Sequence, residues 1–296
     1  AMQVDRRMML RGAAGIAAAT IAAPALAQEA MTAWPPAEHF RLWPGSPPGS
    51  PKPLPKPANR MEGQGARREL HLIGVAEPVV GVYRPAQPDG RALLALPGGG
   101  YRFLSVENEG INVAKTFNPK GVTVFVLAYR LPGEGWAEPL DVPLQDTQRA
   151  MRLIRSRAGE FGIDPAKLGV VGFSAGGLLA ASIATAHADP VYARIDAADD
   201  LPARPAFAGL IYPVISGDLM RIGKLGTARF DTQRRVRRDT PPVFIAHALD
   251  DPLVPVSEPL SMMAACQAMK VPVEAHFFQE GGHGCGSAWK KDPGSG

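Results

Sequence analysis

Short apolar runs alternate with amphipathic segments along most of the chain from residue 69 onward. The run VTVFVLAY at 122–129 is rich in β-branched and aromatic residues, which is typical of a parallel strand buried on both faces. Residues 144–157 instead place their apolar side chains at helical spacing, with arginines on the other faces. Further strands are predicted at 69–75, 78–83, 92–96, 168–173, 207–212, 243–248 and 273–278, and further helices at 109–117, 175–188 and 257–269. This alternation predicts an α/β fold, with a mostly parallel central sheet and helices on both faces.

The first 27 residues have the pattern of an export signal. Arg6 and Arg7 precede an Ala-rich apolar run at 13–23, and Ala25-Leu26-Ala27 is a small-x-small cleavage site. The arginine pair, followed by two methionines and a leucine, is similar to a twin-arginine signal. The apolar run is shorter than the ~20 residues of a membrane-spanning helix, and the alternative is a frayed amphipathic helix. We expect cleavage after Ala27, a periplasmic or secreted mature protein, and no membrane association once the signal is removed.

A proline-rich stretch follows the signal. Nine of the 24 residues from Trp34 to Pro57 are proline, which excludes a helix or a central strand. We predict that residues 28–66 form an extended leader that lies on the domain or hangs free. Residues 67–296 show no internal repeat and no break in composition, so they are predicted to form one domain.

Composition excludes several classes of partner and site. The 296 residues are 46% hydrophobic and 20% charged, which is enough apolar material for a substantial core. Lys and Arg exceed Asp and Glu by 32 to 28, so nothing favours a nucleic-acid partner, which needs a concentrated basic face. The sequence shows no metal cluster, and we predict no metal and no other cofactor. The two cysteines, Cys266 and Cys285, either pair in an oxidising compartment or remain two buried thiols.

The segment Gly172-Phe173-Ser174-Ala175-Gly176 is a G-x-S-x-G motif that directly follows a predicted strand and begins a predicted helix. This context is typical of a nucleophile elbow, in which a strained turn exposes the serine hydroxyl above the carboxyl edge of the sheet. The alternative is an ordinary glycine-rich turn with serine as the helix N-cap. The motif predicts Ser174 as a catalytic nucleophile.

A serine nucleophile needs a base, and the base needs an acid that orients it. After such an elbow the acid precedes the histidine along the chain. Asp250 and Asp251 follow the strand at 243–248, and His283 lies between glycines after the strand at 273–278. The other five histidines fit worse, because they precede the nucleophile, end a helix, lie within a strand or precede the acid. We predict His283 as base and Asp251 as acid, with Asp250 bracing the turn.

The developing oxyanion needs hydrogen-bond donors. The segment Pro97-Gly98-Gly99-Gly100 follows an early strand, and its glycines let backbone N–H groups face a substrate oxygen. We predict an oxyanion hole made by the amides of Gly98, Gly99 and Ala175. The alternative is a flexible loop.

These motifs together resemble the α/β-hydrolase superfamily, and most closely its acetylxylan-esterase-like group of bacterial serine esterases. The similarity is carried by LPGGGYRFLSVENEG (96–110), VFVLAYRLP (124–132), PLQDTQRAMRLIRSRAGEFGIDPAKLGVVGFSAGG (143–177), HALDDPLVPVSE (247–258) and GGHGCG (281–286). The resemblance implies the α/β-hydrolase fold for 67–296, the triad Ser174, Asp251 and His283, and short acyl esters on plant polysaccharide as substrates. Pro97 stands where other esterases of the superfamily have histidine, which favours the P-G-G-G-Y group.

Residues 217–239 are strongly basic. They hold Arg221, Lys224, Arg229, Arg234, Arg235, Arg237 and Arg238. In the α/β-hydrolase fold this region commonly forms a cap over the pocket, and a basic cap would favour acidic sugars. Charge runs are more often a solvated face, and the sequence leaves the two alternatives open.

The resulting hypothesis is a serine esterase that acts on small-molecule or polysaccharide esters. One alternative is a serine peptidase of the prolyl-oligopeptidase type, which shares the triad but has a propeller-sized N-terminal region. Another is a binding protein with a decayed site, against which the complete set of three residues argues. The sequence predicts no oligomeric state.

Overall fold

The computed structural model describes residues 33–64, 68–219 and 231–286. The predicted export signal at 1–27 lies outside these ranges. The strands, in chain order, are β1 (His39–Arg41), β2 (Ala58–Glu62), β3 (Glu69–Ile73), β4 (Val79–Tyr83), β5 (Ala92–Leu96), β6 (Leu104–Ser105), β7 (Thr123–Ala128), β8 (Leu168–Phe173), β9 (Ala208–Ile211), β10 (Val243–Ala248) and β11 (Val273–Phe278). The α-helices are α1 (Asn112–Phe117), α2 (Val142–Ser156), α3 (Ala158–Phe161), α4 (Ala175–Ala186) and α5 (Ser257–Ala268). Short 3₁₀ turns occupy Asn118–Lys120, Pro132–Glu134, Pro165–Lys167, Ala197–Asp200 and Thr232–Arg235, and a π-helical turn at Glu107–Ile111 precedes α1.

Within the described ranges, eight strands form the main sheet in the order β1-β4-β7-β5-β8-β9-β10-β11. The six strands from β7 to β11 in this order are parallel, and β4 and β1 extend the sheet antiparallel to their neighbours. The prediction of a mostly parallel α/β sheet is therefore confirmed. A smaller antiparallel sheet, β2-β3-β6, lies beside it. None of the helices in the described parts of the chain is both long and apolar enough to cross a membrane.

The centre of the sheet is the best-buried part of the fold. Every residue of β5 and β7 is buried, and so is every residue of α4, which begins directly after β8. Small side chains such as alanine and glycine let this helix pack closely on the strands around it. The carboxyl end of β8 is therefore a rigid position for a functional side chain.

The described part of the proline-rich segment is packed onto the domain. Its strand β1 pairs with β4 at the edge of the sheet, where proline-rich sequence is tolerated. Leu42 is fully buried, and the Trp43 indole N–H donates to Asp146 at 2.9 Å. Asp146 is in turn paired with Arg130 in a fully buried ion pair. The described residues of this segment therefore lie on the domain, and its strands β1 and β2 belong to the main sheet and the small sheet, respectively.

Candidate active site

Ser174 lies between β8 and α4 in a backbone conformation that serine rarely adopts, with φ 53° and ψ −117°. Such a conformation persists only where the surroundings enforce it. A Cβ at Gly172 would lie 1.9 Å from the Gly176 carbonyl oxygen, and a Cβ at Gly176 would lie 2.0 Å from the Leu96 carbonyl oxygen. Only glycine fits at these two positions. The local geometry is that of the predicted elbow.

The structure brings the three predicted triad residues together. The His283 Nε2 atom lies 2.9 Å from the Ser174 hydroxyl, and its Nδ1 atom lies 2.7 Å from an oxygen of Asp251. The second oxygen of Asp251 accepts the backbone N–H groups of Leu253 at 2.8 Å and Val254 at 2.9 Å. The Asp251 side chain is fully buried and that of His283 is 13% exposed. The carboxylate is thus held on one side by backbone and on the other by the imidazole.

Asp250 has a different partner. Its carboxylate accepts the Gly282 N–H at 2.8 Å, one residue before His283. This backbone hydrogen bond lowers the pKa of the exposed Asp250 carboxyl. Asp250 therefore braces the loop that carries the histidine, whereas Asp251 contacts the imidazole itself.

The oxyanion loop differs from the prediction at one position. The Gly98 N–H donates to the Glu109 carboxylate at 2.6 Å. Gly98 was predicted to donate to the substrate oxygen, and this prediction is corrected because the donor already has a buried acceptor. Gly99 and Gly100 line the cavity beside Ser174, so their amides are the candidates on this loop. Ala175 is the first residue of α4, where backbone amides have no acceptor within the helix.

Glu109 is a buried acid that sequence reasoning missed. Its side chain accepts the Gly98 N–H through one oxygen and the Tyr212 hydroxyl through the other, at 2.8 Å. Burial raises the pKa of Glu109 to about 7, although these two hydrogen bonds oppose the shift. Nothing in the local sequence distinguishes Glu109 from a surface glutamate at the start of a predicted helix.

A cavity of about 730 Å³ opens over Ser174 and His283. Its apolar lining includes Val214, Leu219, Leu253 and Val254, and its polar lining includes Glu69, Ser105, Asn108 and Glu134. Glu69 accepts the Ser105 hydroxyl at 2.9 Å and contacts His71, whose ring stacks on Phe103. The cavity therefore offers both apolar surface and groups that can bind hydroxyls.

Cys266 and Cys285 are both free thiols. Burial raises their pKa to about 11 and about 12, respectively, so both are protonated at neutral pH. A thiol of this kind is a poor nucleophile. Among the residues that the structure describes, no group of three or more His, Cys, Asp or Glu side chains could hold a metal ion.

The basic segment at 217–239 is described only at its two ends, and residues 220–230 lie outside the described ranges. Leu219 lines the cavity. Beyond the gap, Arg235 pairs with Asp189 and Arg237 pairs with Asp239. Arg234 also pairs with Asp231, so three of the described arginines beyond the gap have aspartate partners.

Parts of the chain are similar in sequence to known proteins. Residues 81–199 match the BD-FAE family, and residues 226–292 match the prolyl oligopeptidase family. An acetylxylan esterase of Xylanibacter ruminicola is 32% identical over 253 residues, which are 79% of this chain and 49% of that protein. Endo-1,4-beta-xylanase B of Butyrivibrio fibrisolvens is 33% identical over 204 residues, 65% of this chain and 32% of that one. The chain thus spans about half the length of the first and a third of the second.

A solved structure is similar over most of its length. It is an acetyl ester-xyloside bifunctional hydrolase from Caldicellulosiruptor lactoaceticus, with a TM-score of 0.62 and 32% sequence identity. The similarity covers 71% of this chain and 80% of that one.

Proposed function

Because the chain belongs to the acetylxylan-esterase-like group of the α/β-hydrolase superfamily, we propose that it is a serine esterase for short acyl esters of carbohydrates. The observation that carries the proposal is the continuous chain of contacts from Ser174 through His283 to Asp251, at 2.9 and 2.7 Å. Ser174 and His283 line a cavity that is large enough for an ester with a bulky alcohol part.

The geometry supports a two-step reaction. His283 accepts the proton of the Ser174 hydroxyl, and the serine oxygen attacks the ester carbonyl carbon. Amides of Ala175 and of the loop at Gly99 and Gly100 hold the resulting oxyanion. Its collapse breaks the bond to the alcohol oxygen, which takes the proton from His283. His283 then takes a proton from water, and the water oxygen attacks the carbonyl carbon of the acyl-enzyme. The bond to the serine oxygen breaks as His283 returns the proton to that oxygen, which releases the carboxylic acid and free Ser174. Asp251 holds the imidazole in the tautomer that this proton transfer requires.

The substrate class is proposed from the relatives and from the cavity. One relative is an acetylxylan esterase, and the similar solved structure is an acetyl ester-xyloside hydrolase. Polar groups in the cavity, among them Glu69 and Asn108, are suited to the hydroxyls of a sugar ring. We therefore assign acetylated plant polysaccharide and its fragments as the substrate class, and purified enzyme should release acetate from acetylated xylan.

The acyl chain series tests this assignment. We expect kcat/KM to fall from p-nitrophenyl acetate through butyrate to octanoate. In a pocket that buries a fatty acyl chain, each buried CH₂ would add ~0.8 kcal/mol of favourable binding free energy, and kcat/KM would rise with chain length. Here two of the apolar lining residues, Leu219 and Leu253, are 41% and 65% exposed, so a long chain would stay largely in water. The measurement is kcat/KM for the three esters at one pH. A maximum at octanoate would contradict the carbohydrate assignment while leaving the triad in place.

The match of residues 226–292 to the prolyl oligopeptidase family supports a second candidate, a serine peptidase. The two functions share Ser174 and differ in the bond that is broken. Hydrolysis of a prolyl p-nitroanilide faster than that of p-nitrophenyl acetate would favour the peptidase.

We also propose that the protein is exported, on the basis of the sequence of residues 1–27. Protein recovered from a bacterial periplasm should begin at Gln28. Replacing both Arg6 and Arg7 by lysine should leave the precursor in the cytoplasm, because the twin-arginine route requires the pair. Unchanged export of that double variant would indicate the general secretory route, and an intact N-terminus in the periplasm would exclude cleavage at Ala27.

A further inference from the structure

We propose that Glu109 is a positioning residue, which fixes the oxyanion loop and the His283 loop relative to Ser174 and thereby acts on the rate of the chemical step. The inference rests on the proposed esterase function and assigns a role to a buried carboxylate that the reaction scheme leaves unused.

The peptide between Pro97 and Gly98 is held at both ends. Its carbonyl oxygen accepts the Tyr129 hydroxyl at 2.5 Å, and its N–H donates to Glu109 at 2.6 Å. The same peptide touches the elbow, because a Cβ on Gly98 would lie 2.5 Å from the Phe173 carbonyl oxygen and 3.0 Å from the Ser174 Cβ. Two hydrogen bonds, one of them accepted by Glu109, therefore hold this peptide, and the Gly98 carbonyl oxygen that follows it accepts the Ser105 N–H at 3.1 Å.

The second oxygen of Glu109 reaches the histidine side of the site through Tyr212. The Tyr212 hydroxyl donates to Glu109 at 2.8 Å, and its oxygen accepts the Gly286 N–H, also at 2.8 Å. The Tyr212 ring lies 4.8 Å from the His283 ring, centroid to centroid. Tyr212 thus links Glu109 to the loop that carries the base.

The two residues that precede Glu109 in the π-helical turn also form hydrogen bonds with distant segments. Asn108 donates its side-chain amide to the Gly284 carbonyl oxygen at 2.9 Å, and Glu107 accepts the Leu70 N–H at 2.9 Å. One turn of five residues, Glu107–Ile111, therefore supports the oxyanion loop, the histidine loop and the small sheet. Turns of this rare type are often found at functional sites.

A carboxylate suits this position because both of its partners are donors. The Gly98 N–H can only donate, and the Tyr212 hydroxyl donates its proton to Glu109 while its oxygen accepts the Gly286 N–H. An ionised carboxyl accepts through both oxygens, whereas a glutamine amide must turn an NH₂ toward one of the two donors. Glu109→Gln is therefore expected to keep one of the two contacts, and Glu109→Ala to lose both.

The expected kinetic signature follows from what these loops do. Oxyanion contacts are stronger in the transition state than in the bound substrate, so a displaced loop lowers kcat more than it raises KM. Loss of a single oxyanion donor lowers kcat by about 10²–10³-fold. For Glu109→Gln we expect kcat per active site to fall ~10²-fold, with KM for p-nitrophenyl acetate within about threefold of the wild-type value.

The matched control is Asp199→Asn. The Asp199 carboxylate is also buried and also accepts a tyrosine hydroxyl and a backbone N–H, from Tyr192 at 2.6 Å and Ile195 at 2.8 Å. Unlike Glu109, it also pairs with an arginine, Arg149, at 2.9 Å. It does not line the cavity over Ser174. Asp199→Asn should lower the melting temperature while kcat per active site remains unchanged.

The experiment measures three quantities for the wild type, Glu109→Gln, Glu109→Ala and Asp199→Asn. A p-nitrophenyl phosphonate counts reactive Ser174 through released p-nitrophenolate. Steady-state kinetics on p-nitrophenyl acetate give kcat and KM per counted site. Inhibition by a trifluoromethyl ketone, which forms a tetrahedral adduct, reports the oxyanion hole, and its Ki should rise by the same factor as kcat/KM falls.

Unchanged kcat and Ki per counted site in the Glu109 variants, with only the melting temperature or the count reduced, would overturn the proposal. Should Glu109→Ala fail to fold, Glu109→Gln and Tyr212→Phe provide the same comparison. A wild type that is phosphonylated but inert on every ester would refute the proposed function alone, because the phosphonylation rates of the Glu109 variants still test the positioning role. A wild type inert to the phosphonate as well would overturn both.

Discussion

Ser174→Ala is expected to lower kcat for ester hydrolysis by ~10⁴–10⁶-fold, because loss of the nucleophile removes the acyl-enzyme route. The fold should persist. Alanine keeps the Cβ of serine, and the close backbone contacts that Gly172 and Gly176 permit around the elbow do not involve the Ser174 hydroxyl. The residual rate on p-nitrophenyl acetate and the melting temperature are the two measurements.

Ser182→Ala is the control for this experiment. Ser182 lies on the same helix α4, and its buried hydroxyl donates to the Leu178 carbonyl oxygen within the helix. It should keep wild-type activity. Activity of Ser174→Ala within tenfold of the wild type would show that another group attacks the ester, and the elbow assignment would then fail.

The second large effect concerns the acid. Asp251→Asn is expected to lower kcat by about 10⁴-fold, because an asparagine amide can donate to Nδ1 and so stabilises the wrong histidine tautomer. The loss should be in kcat, since Asp251 is fully buried behind the imidazole and does not line the cavity. The measurement is kcat per active site for p-nitrophenyl acetate.

Asp250→Asn is the neighbouring control. Its side-chain carbonyl can still accept the Gly282 N–H, the contact that Asp250 makes in the structure. We expect less than a tenfold change. If Asp250→Asn is the inactive variant and Asp251→Asn is active, the two residues have exchanged roles and the acid has been assigned one residue too late.

The sequence was informative where a local pattern reports a local structure. The β-branched run of β7 was typical of a buried strand, and the glycines around Ser174 indicated a tight turn between strand and helix. His283 and Asp251 were identifiable because each lies on a loop after a predicted strand, in the order that the elbow requires. The carboxyl ends of parallel strands meet at one edge of the sheet, so these loops converge.

The details that the sequence did not reveal depend on contacts between distant segments. Gly98 looked like an oxyanion donor because glycine permits many amide orientations, and only the packing of Glu109 against it shows where its N–H points. Tyr212 meets Glu109 across 103 residues of sequence. The strand β1 was not predicted, because it has only three residues and lies in a proline-rich segment. So short a strand shows no alternation of apolar and polar residues, and only its pairing with β4 identifies it.

The nucleophile and the base are attached to strands that differ in local stability. Ser174 follows β8, in the interior of the sheet, whereas His283 follows β11, which lies at the end of the sheet and alternates between half-buried and exposed residues. Edge segments of this kind open at a lower free-energy cost than the core does. On gentle heating, the base should therefore separate from the nucleophile while the central strands are still folded. Hydrolysis would then stop, reversibly, below the temperature at which the molecule melts.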